Sequence, residues 1–288
     1  MKINSTILLS VALAFASTGA ADAATLYGAT ASGGPGELYI LNAGTGGVIQ
    51  DVGPLNDALN VNYGVTGLAF SPVTGLLYGS TANADPATAA KLISINPLSG
   101  LVTVIGDFNV TGGGVGSTMA DIAFDSSGNL YGIGSKGGPQ LYSINILTGQ
   151  ATIVGAGSGL TSTTGGGLAI SPSSVFFGTP TASRFGTYDS TTGAYSNIAN
   201  PVKPGGGAYA ALDFSGNVLY GLNSGTGSPP PTHLVTIDTV TGAVTDLGLS
   251  VPALDAIAFL QVVPEPGTMT LLLAGIMLGV VAKKQRRQ

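Results

Sequence analysis

Leu92-Ile93-Ser94-Ile95-Asn96-Pro97-Leu98-Ser99-Gly100-Leu101-Val102-Thr103-Val104-Ile105-Gly106 reads as a β-hairpin. Two short segments rich in β-branched residues flank a five-residue motif, Asn-x-x-Ser-Gly. An Asn side chain accepts backbone N–H groups two residues on, and Gly takes the positive φ that ends such a turn. The pattern Asn/Asp-x-x-Ser/Thr-Gly recurs at Asn42 to Gly46, Asn96 to Gly100, Asn145 to Gly149, Asp189 to Gly193 and Asp238 to Gly242, in steps of 54, 49, 44 and 49 residues. A period near fifty with strand-like flanks marks a repeat architecture.

Two further anchors fill each unit. Leu26-Tyr27-Gly28, Leu77-Tyr78-Gly79, Leu130-Tyr131-Gly132, Phe176-Phe177-Gly178 and Leu219-Tyr220-Gly221 lie upstream of the turn motif. Leu68-Ala69-Phe70, Ile122-Ala123-Phe124, Leu168-Ala169-Ile170 and Leu212-Asp213-Phe214 lie seven to nine residues earlier, across turn sequences such as Asp125-Ser126-Ser127-Gly128-Asn129. Each unit therefore predicts four short strands, the composition of a propeller blade. The first unit lacks its first strand, whereas Ala256-Ile257-Ala258-Phe259 is a first strand with no unit after it. The expected fold is all-β, a five-bladed β-propeller over 24–263 whose C-terminal strand closes blade one from the inside and removes the open sheet edges. The competing architecture, an open β-solenoid, has shorter coils and leaves no orphan strand.

The ends of the chain read differently. Lys2, the apolar run Ile7 to Ala16 and the small residues Ser17 to Ala24 follow the order of a secretory signal, with Ala21 and Ala23 as the cleavage pair and residues 1–23 removed by signal peptidase. At the other end, Pro264-Glu265-Pro266 precedes sixteen uncharged residues, Gly267 to Ala282, and the cations Lys283, Lys284, Arg286 and Arg287. A helix over 267–282 would be about 24 Å long, slightly short of a ~30 Å hydrocarbon core. The basic tail 283–288 would hold its end in the cytoplasm.

Segment 264–288 resembles the PEP-CTERM sorting signal of Gram-negative bacteria. That resemblance implies recognition of Pro264, Glu265 and Pro266 by exosortase, a membrane-embedded transpeptidase. It also implies transient anchoring in the inner membrane, retention through the basic cluster, and transfer to the cell surface or extracellular polymer matrix. The phrase Ile-Asp-x-x-Thr-Gly at Ile237 to Gly242 is similar to YVTN-type and quinoprotein-like propeller repeats.

Composition limits the chemistry. The chain has no Cys, no Trp and one His among 288 residues, so disulfides, thiolate metal sites and mechanisms needing two imidazoles are excluded. Residues 24–263 hold four cations (Lys91, Lys136, Arg184, Lys203) and twelve anions, a net charge of 4 − 12 = −8, which repels nucleic acid. No Gly-x-Ser-x-Gly elbow surrounds a serine that His233 could activate, and His233 is expected at the start of a third strand, in or near a loop. Asp125 to Asn129 lacks the acidic alternation of a calcium loop and reads as a turn.

Asp121, Asp213 and Asp255 stand at or beside first strands, at two different offsets, and are the candidate channel ligands for a cation or polar group. Tyr63, Tyr195 and Tyr209 fall outside the repeat positions and are candidates for a carbohydrate-binding face. The expectation is a non-enzymatic binding or structural propeller without cofactor or metal, with polysaccharide as a candidate partner. The alternative is a secreted propeller enzyme, a metal-dependent lactonase or glycan-acting protein, with an aspartate site in the channel.

Overall fold

In every repeat the turn motif does what its chemistry allows. The side-chain oxygens of Asn42, Asn96, Asn145, Asp189 and Asp238 accept the N–H of Gly44, Leu98, Leu147, Thr191 and Val240 at 2.8 to 3.0 Å. The main-chain oxygens of the same five residues accept the N–H of the motif glycine at 2.8 or 2.9 Å. Gly46, Gly100, Gly149, Gly193 and Gly242 all have φ between +70° and +78°, where a side chain would be strained.

The computed structural model describes residues 24–31, 35–81, 87–110, 118–134, 138–161 and 166–260. Ala21, Ala23, Pro264, Glu265, Pro266, Lys283, Lys284, Arg286 and Arg287 lie outside the described residues, as do the signal and sorting segments that contain them. Among the described residues, twenty strands form five four-stranded antiparallel sheets. Blade two is β4 (Val65–Phe70), β5 (Leu77–Thr81), β6 (Lys91–Ile95) and β7 (Val102–Asp107). Blade three is β8 (Met119–Phe124), β9 (Leu130–Gly134), β10 (Leu141–Ile144) and β11 (Ala151–Ile153). Blade four is β12 (Gly167–Ile170), β13 (Phe176–Thr181), β14 (Arg184–Tyr188) and β15 (Tyr195–Ala199), and blade five is β16 (Ala208–Ser215), β17 (Val218–Ser224), β18 (Thr232–Ile237) and β19 (Val244–Leu249).

Blade one is assembled from both ends of the domain. Its order is β20 (Leu254–Leu260), β1 (Thr25–Thr30), β2 (Glu37–Leu41) and β3 (Val48–Pro54), so the orphan C-terminal strand is innermost, as the repeat count predicts. Inner and second strands are almost wholly buried because neighbouring blades cover both faces, whereas the outermost β3 is exposed or half-buried along its length. Among the described residues no helix is long and apolar enough to cross a membrane.

The Leu-Tyr-Gly and Leu-Ala-Phe anchors meet between blades. Edge-on or tilted aromatic pairs join Tyr27 to Phe70, Tyr78 to Phe124, Phe177 to Phe214 and Tyr220 to Phe259, with ring centroids 4.7 to 5.8 Å apart. Blade four has Ile170 where its neighbours have Phe, and there Phe176 takes the place of the missing ring, 4.8 Å from Tyr131. Five pairs thus run round the whole ring, and the last joins blade five to β20. Such geometry adds about 0.5–1.5 kcal/mol per pair beyond the area buried.

Candidate functional site

The glycine of each Leu-Tyr-Gly strand gives a common register for the five inner strands. Leu68, Ile122, Leu168, Leu212 and Ile257 lie opposite Gly79, Gly132, Gly178, Gly221 and Gly28. One residue earlier stand Gly67, Asp121, Gly167, Ala211 and Ala256; one residue later stand Ala69, Ala123, Ala169, Asp213 and Ala258. Both rows are otherwise Gly or Ala because the axis is crowded. A Cβ on Gly67 would lie 2.7 Å from both the Asp121 Cα and the Ile122 nitrogen.

Two positions before the reference stand Thr66, Ala120, Gly166, Ala210 and Asp255. In four of the blades the pairing register shifts at this position, leaving Thr66, Ala120, Ala210 and Asp255 as bulge residues. A bulge re-aims its side chain out of the ladder, and these five residues line a depression of about 510 Å³ at one mouth of the ring. Two positions after the reference, Phe70, Phe124, Ile170, Phe214 and Phe259 line a smaller apolar depression of about 210 Å³ at the opposite mouth.

The candidate carboxylates therefore occupy three levels of the axis, and the two offsets expected from the sequence are corrected by the register. Asp255 is half-buried on the bulge-side rim, away from the other two levels. Asp121 is fully buried. Its Oδ1 accepts the Ile122 N–H at 2.9 Å, and its Oδ2 accepts the Leu168 and Leu212 N–H at 2.8 and 3.0 Å. One carboxylate thus ties the inner edges of blades three, four and five. The Asp213 Oδ1 accepts its neighbour Phe214 N–H at 2.8 Å and its Oδ2 the Phe259 N–H at 2.6 Å, tying blade five to β20. Thr66 Oγ1 donates to the Met119 carbonyl at 2.8 Å and ties blade two to blade three.

The physical cause is the inner edge itself. Each innermost strand presents unpaired N–H groups to a narrow axis, where a buried donor left unsatisfied costs about 1–3 kcal/mol. Burial pushes the Asp121 carboxyl well above its ordinary range, against the three amide bonds and with help from the Asp213 charge. Asp213, whose carboxylate is enclosed although the residue keeps some open surface on the turn-side depression, is pushed by burial to about 7, against two amide bonds.

A carboxyl whose folded pKa lies above its unfolded value binds more protons in the native state. Its stabilising contribution is full below about pH 4 and is lost as pH rises through about 7. The domain is therefore expected to lose stability between about pH 4 and 7, with a slope of at most about 1.4 kcal/mol per pH unit from Asp213. Thermal melts across that range check this, and Asp213→Asn should flatten the profile. An unchanged profile in the variant would refute the assignment.

The other candidates resolve into structural roles. Tyr63 is buried and its hydroxyl donates to Asp57 at 3.1 Å, while Tyr209 is fully buried with its hydroxyl on the Val202 carbonyl. Tyr195 is half-buried, 5.2 Å from the Tyr188 ring, and its hydroxyl bonds Asn197. Tyr63 and Tyr209 are thus taken up by internal contacts, whereas Tyr195 keeps part of its surface open. Asp125 Oδ1 accepts the N–H of Ser127 and Asn129, as expected of a turn. His233 lies at the start of β18, the third strand of its blade, as expected, with Nδ1 3.0 Å from Asp246 Oδ2 across the hairpin. That pair was not foreseen, although a one-residue register count from Ile237 and Val244, with the bulge, brings the two side chains together.

Among the described residues no group of three His, Cys, Asp or Glu side chains could hold a metal ion.

Comparison with known proteins adds two family matches. Residues 56–229 match the model described as a repeat of unknown function (DUF6923), and residues 262–287 match the PEP-CTERM protein-sorting motif. That motif indicates export, a C-terminal membrane-anchored sorting signal and processing by an exosortase-type enzyme. No curated protein matches. Among solved structures, a protein of unknown function from Bacteroides caccae is 14% identical with a TM-score of 0.50, covering 82% of this chain and 98% of that one. TolB from Acinetobacter baumannii is 16% identical with a TM-score of 0.45, covering 77% and 52%. Puromycin hydrolase is 20% identical with a TM-score of 0.39, and the match spans 65% of this chain but only 29% of the hydrolase. These similarities extend to the fold alone.

Proposed function

We propose, from the premise that this chain belongs to the DUF6923 repeat family and carries a PEP-CTERM sorting motif, that it is a non-enzymatic binding or structural propeller of the bacterial envelope or extracellular polymer matrix. The observation that carries this reading is the use made of Asp121 and Asp213. Acid–base or metal chemistry in a propeller channel needs carboxylates open to a ligand, and here both accept backbone amides of neighbouring blades. Their raised pKa values follow from burial as structural ties and do not by themselves imply catalysis. On this reading signal peptidase removes 1–23, the 267–282 segment holds the protein in the inner membrane, and exosortase-type processing passes it onward. A sparsely charged surface rich in Ser, Thr and Gly then meets polysaccharide.

Deleting residues 264–288 is expected to release the protein into the periplasm or medium, measured by cell fractionation. Unchanged membrane or surface association would overturn the sorting role of the tail. A glycan-binding screen and metal analysis of the released protein test the rest. Glycan binding with substoichiometric metal is the expected result, and one tightly held divalent metal per chain would favour the enzyme reading.

A further inference from the structure

We propose that the face carrying the β6–β7, β10–β11 and β18–β19 turns docks on the membrane surface while the tail is anchored; this rests on the membrane-anchored reading of 264–288. The antiparallel order fixes which loops share a face. Phe70, Leu77, Ile95 and Val102 pair in succession across blade two, so the turn after β4 and the turn after β6 lie at the same end of the sheet. The equivalent pairings hold in blades three and five. In blade one, Thr25 pairs with Leu260, which places both ends of the domain at this same face.

That face presents apolar side chains to solvent. The third residue of the turn motif is Leu98, Leu147 or Val240 in blades two, three and five, and these are 83%, 82% and 80% exposed. Val73, in the turn after β4, is exposed as well. Singly exposed apolar residues are ordinary, but here they sit at equivalent positions around one face. Each is fixed by the Asx bond to its own N–H. Rigid turns lose little conformational freedom on inserting a tip into a bilayer.

The length of chain beyond Leu260 selects the occupant. Seven residue steps lead from Leu260 to Gly267, where the uncharged segment starts. Even fully extended they reach no more than about 24 Å. A domain tethered that closely by this face has its exposed leucines near the lipid headgroups, and the apolar tips can enter the interface about 5–10 Å. Asp125, Asp189 and Asp238 share the face, and no described cation does, so the contact is apolar insertion rather than attraction to anionic lipid.

The absence of cysteine makes a direct test simple. Leu98→Cys, Leu147→Cys and Val240→Cys, with Leu59→Cys and Val202→Cys on the opposite face as references, are each labelled with a fluorophore in the full chain and reconstituted into phosphatidylcholine vesicles. A quencher carried on the lipid is expected to act about twofold or more strongly on 98, 147 and 240 than on 59 and 202. Equal quenching at the five sites in a chain that floats with the vesicles overturns the docking while leaving the anchor intact. Failure to float overturns the anchor itself. Protection of 98, 147 and 240 from an aqueous quencher without quenching from the lipid would assign the face to a second copy, against this proposal.

Discussion

Asp121→Asn is expected to cost the domain about 1–3 kcal/mol of unfolding free energy, although the substitution changes neither size nor shape. Both Asp121 oxygens accept: Oδ1 from Ile122, Oδ2 from Leu168 and Leu212. An amide oxygen can keep one side of this arrangement, but the amide nitrogen on the other side would set a donor against one or two backbone donors in a fully buried position. Asp121→Ala should be at least as severe, because three N–H groups then lose their acceptor. Against the total stability of about 5–15 kcal/mol usual for a domain, such a loss is large enough to lower the denaturation midpoint plainly. Chemical denaturation of the tail-less protein gives the measurement, with Asp255→Asn on the rim as a comparison expected to cost much less. An Asp121→Asn protein within about 1 kcal/mol of its parent would mean that these amides are satisfied otherwise, for example by water, and that the axis is wet.

The contrast between Asp121 and the turn motif explains which parts of this protein are legible in its sequence. The Asn96 to Gly100 hairpin could be read directly because its bonds close within four residues. Ring closure could be read because a count of strands left Ala256 to Phe259 over. The third strand of blade four, Arg184–Tyr188, lacks the alternation seen in the others and was reached only through the period. Asp121 is different in kind: its partners Leu168 and Leu212 lie 47 and 91 residues away. Nothing local distinguishes it from a ligand. The signal that was available is columnar, an Asp in a row otherwise made of Gly67, Gly167, Ala211 and Ala256. Where a crowded axis admits only Gly and Ala, an acid has no room for a ligand beside it and meets the neighbouring backbone instead. At the level of Asp121 the carboxylate oxygens are taken by the protein's own amides.

Removal of β20 is the change with the largest expected effect. Without residues 254–260, β1 becomes an open edge, Asp213 loses its bond to Phe259, and the Tyr220 ring loses its partner at 4.7 Å. Leu254, Ile257 and Phe259 are each at most 2% exposed, and their burial contributes roughly 5–9 kcal/mol at about 1.5–3 kcal/mol per side chain. That is comparable to the whole stability of an ordinary domain. A chain ending at Val251 is therefore expected to lose its cooperative thermal transition and to aggregate through the exposed edge of β1. Adding a synthetic peptide spanning residues 252–262 in trans should restore the transition, since the missing strand needs no covalent link to pair with β1. Phe259→Ala in the intact chain should fall between these limits, at about 3–5 kcal/mol. A truncated protein that still melts cooperatively at the parent temperature would show that the other blades close the ring without the strand. The aromatic pair and the Asp213 tie would then be incidental to closure.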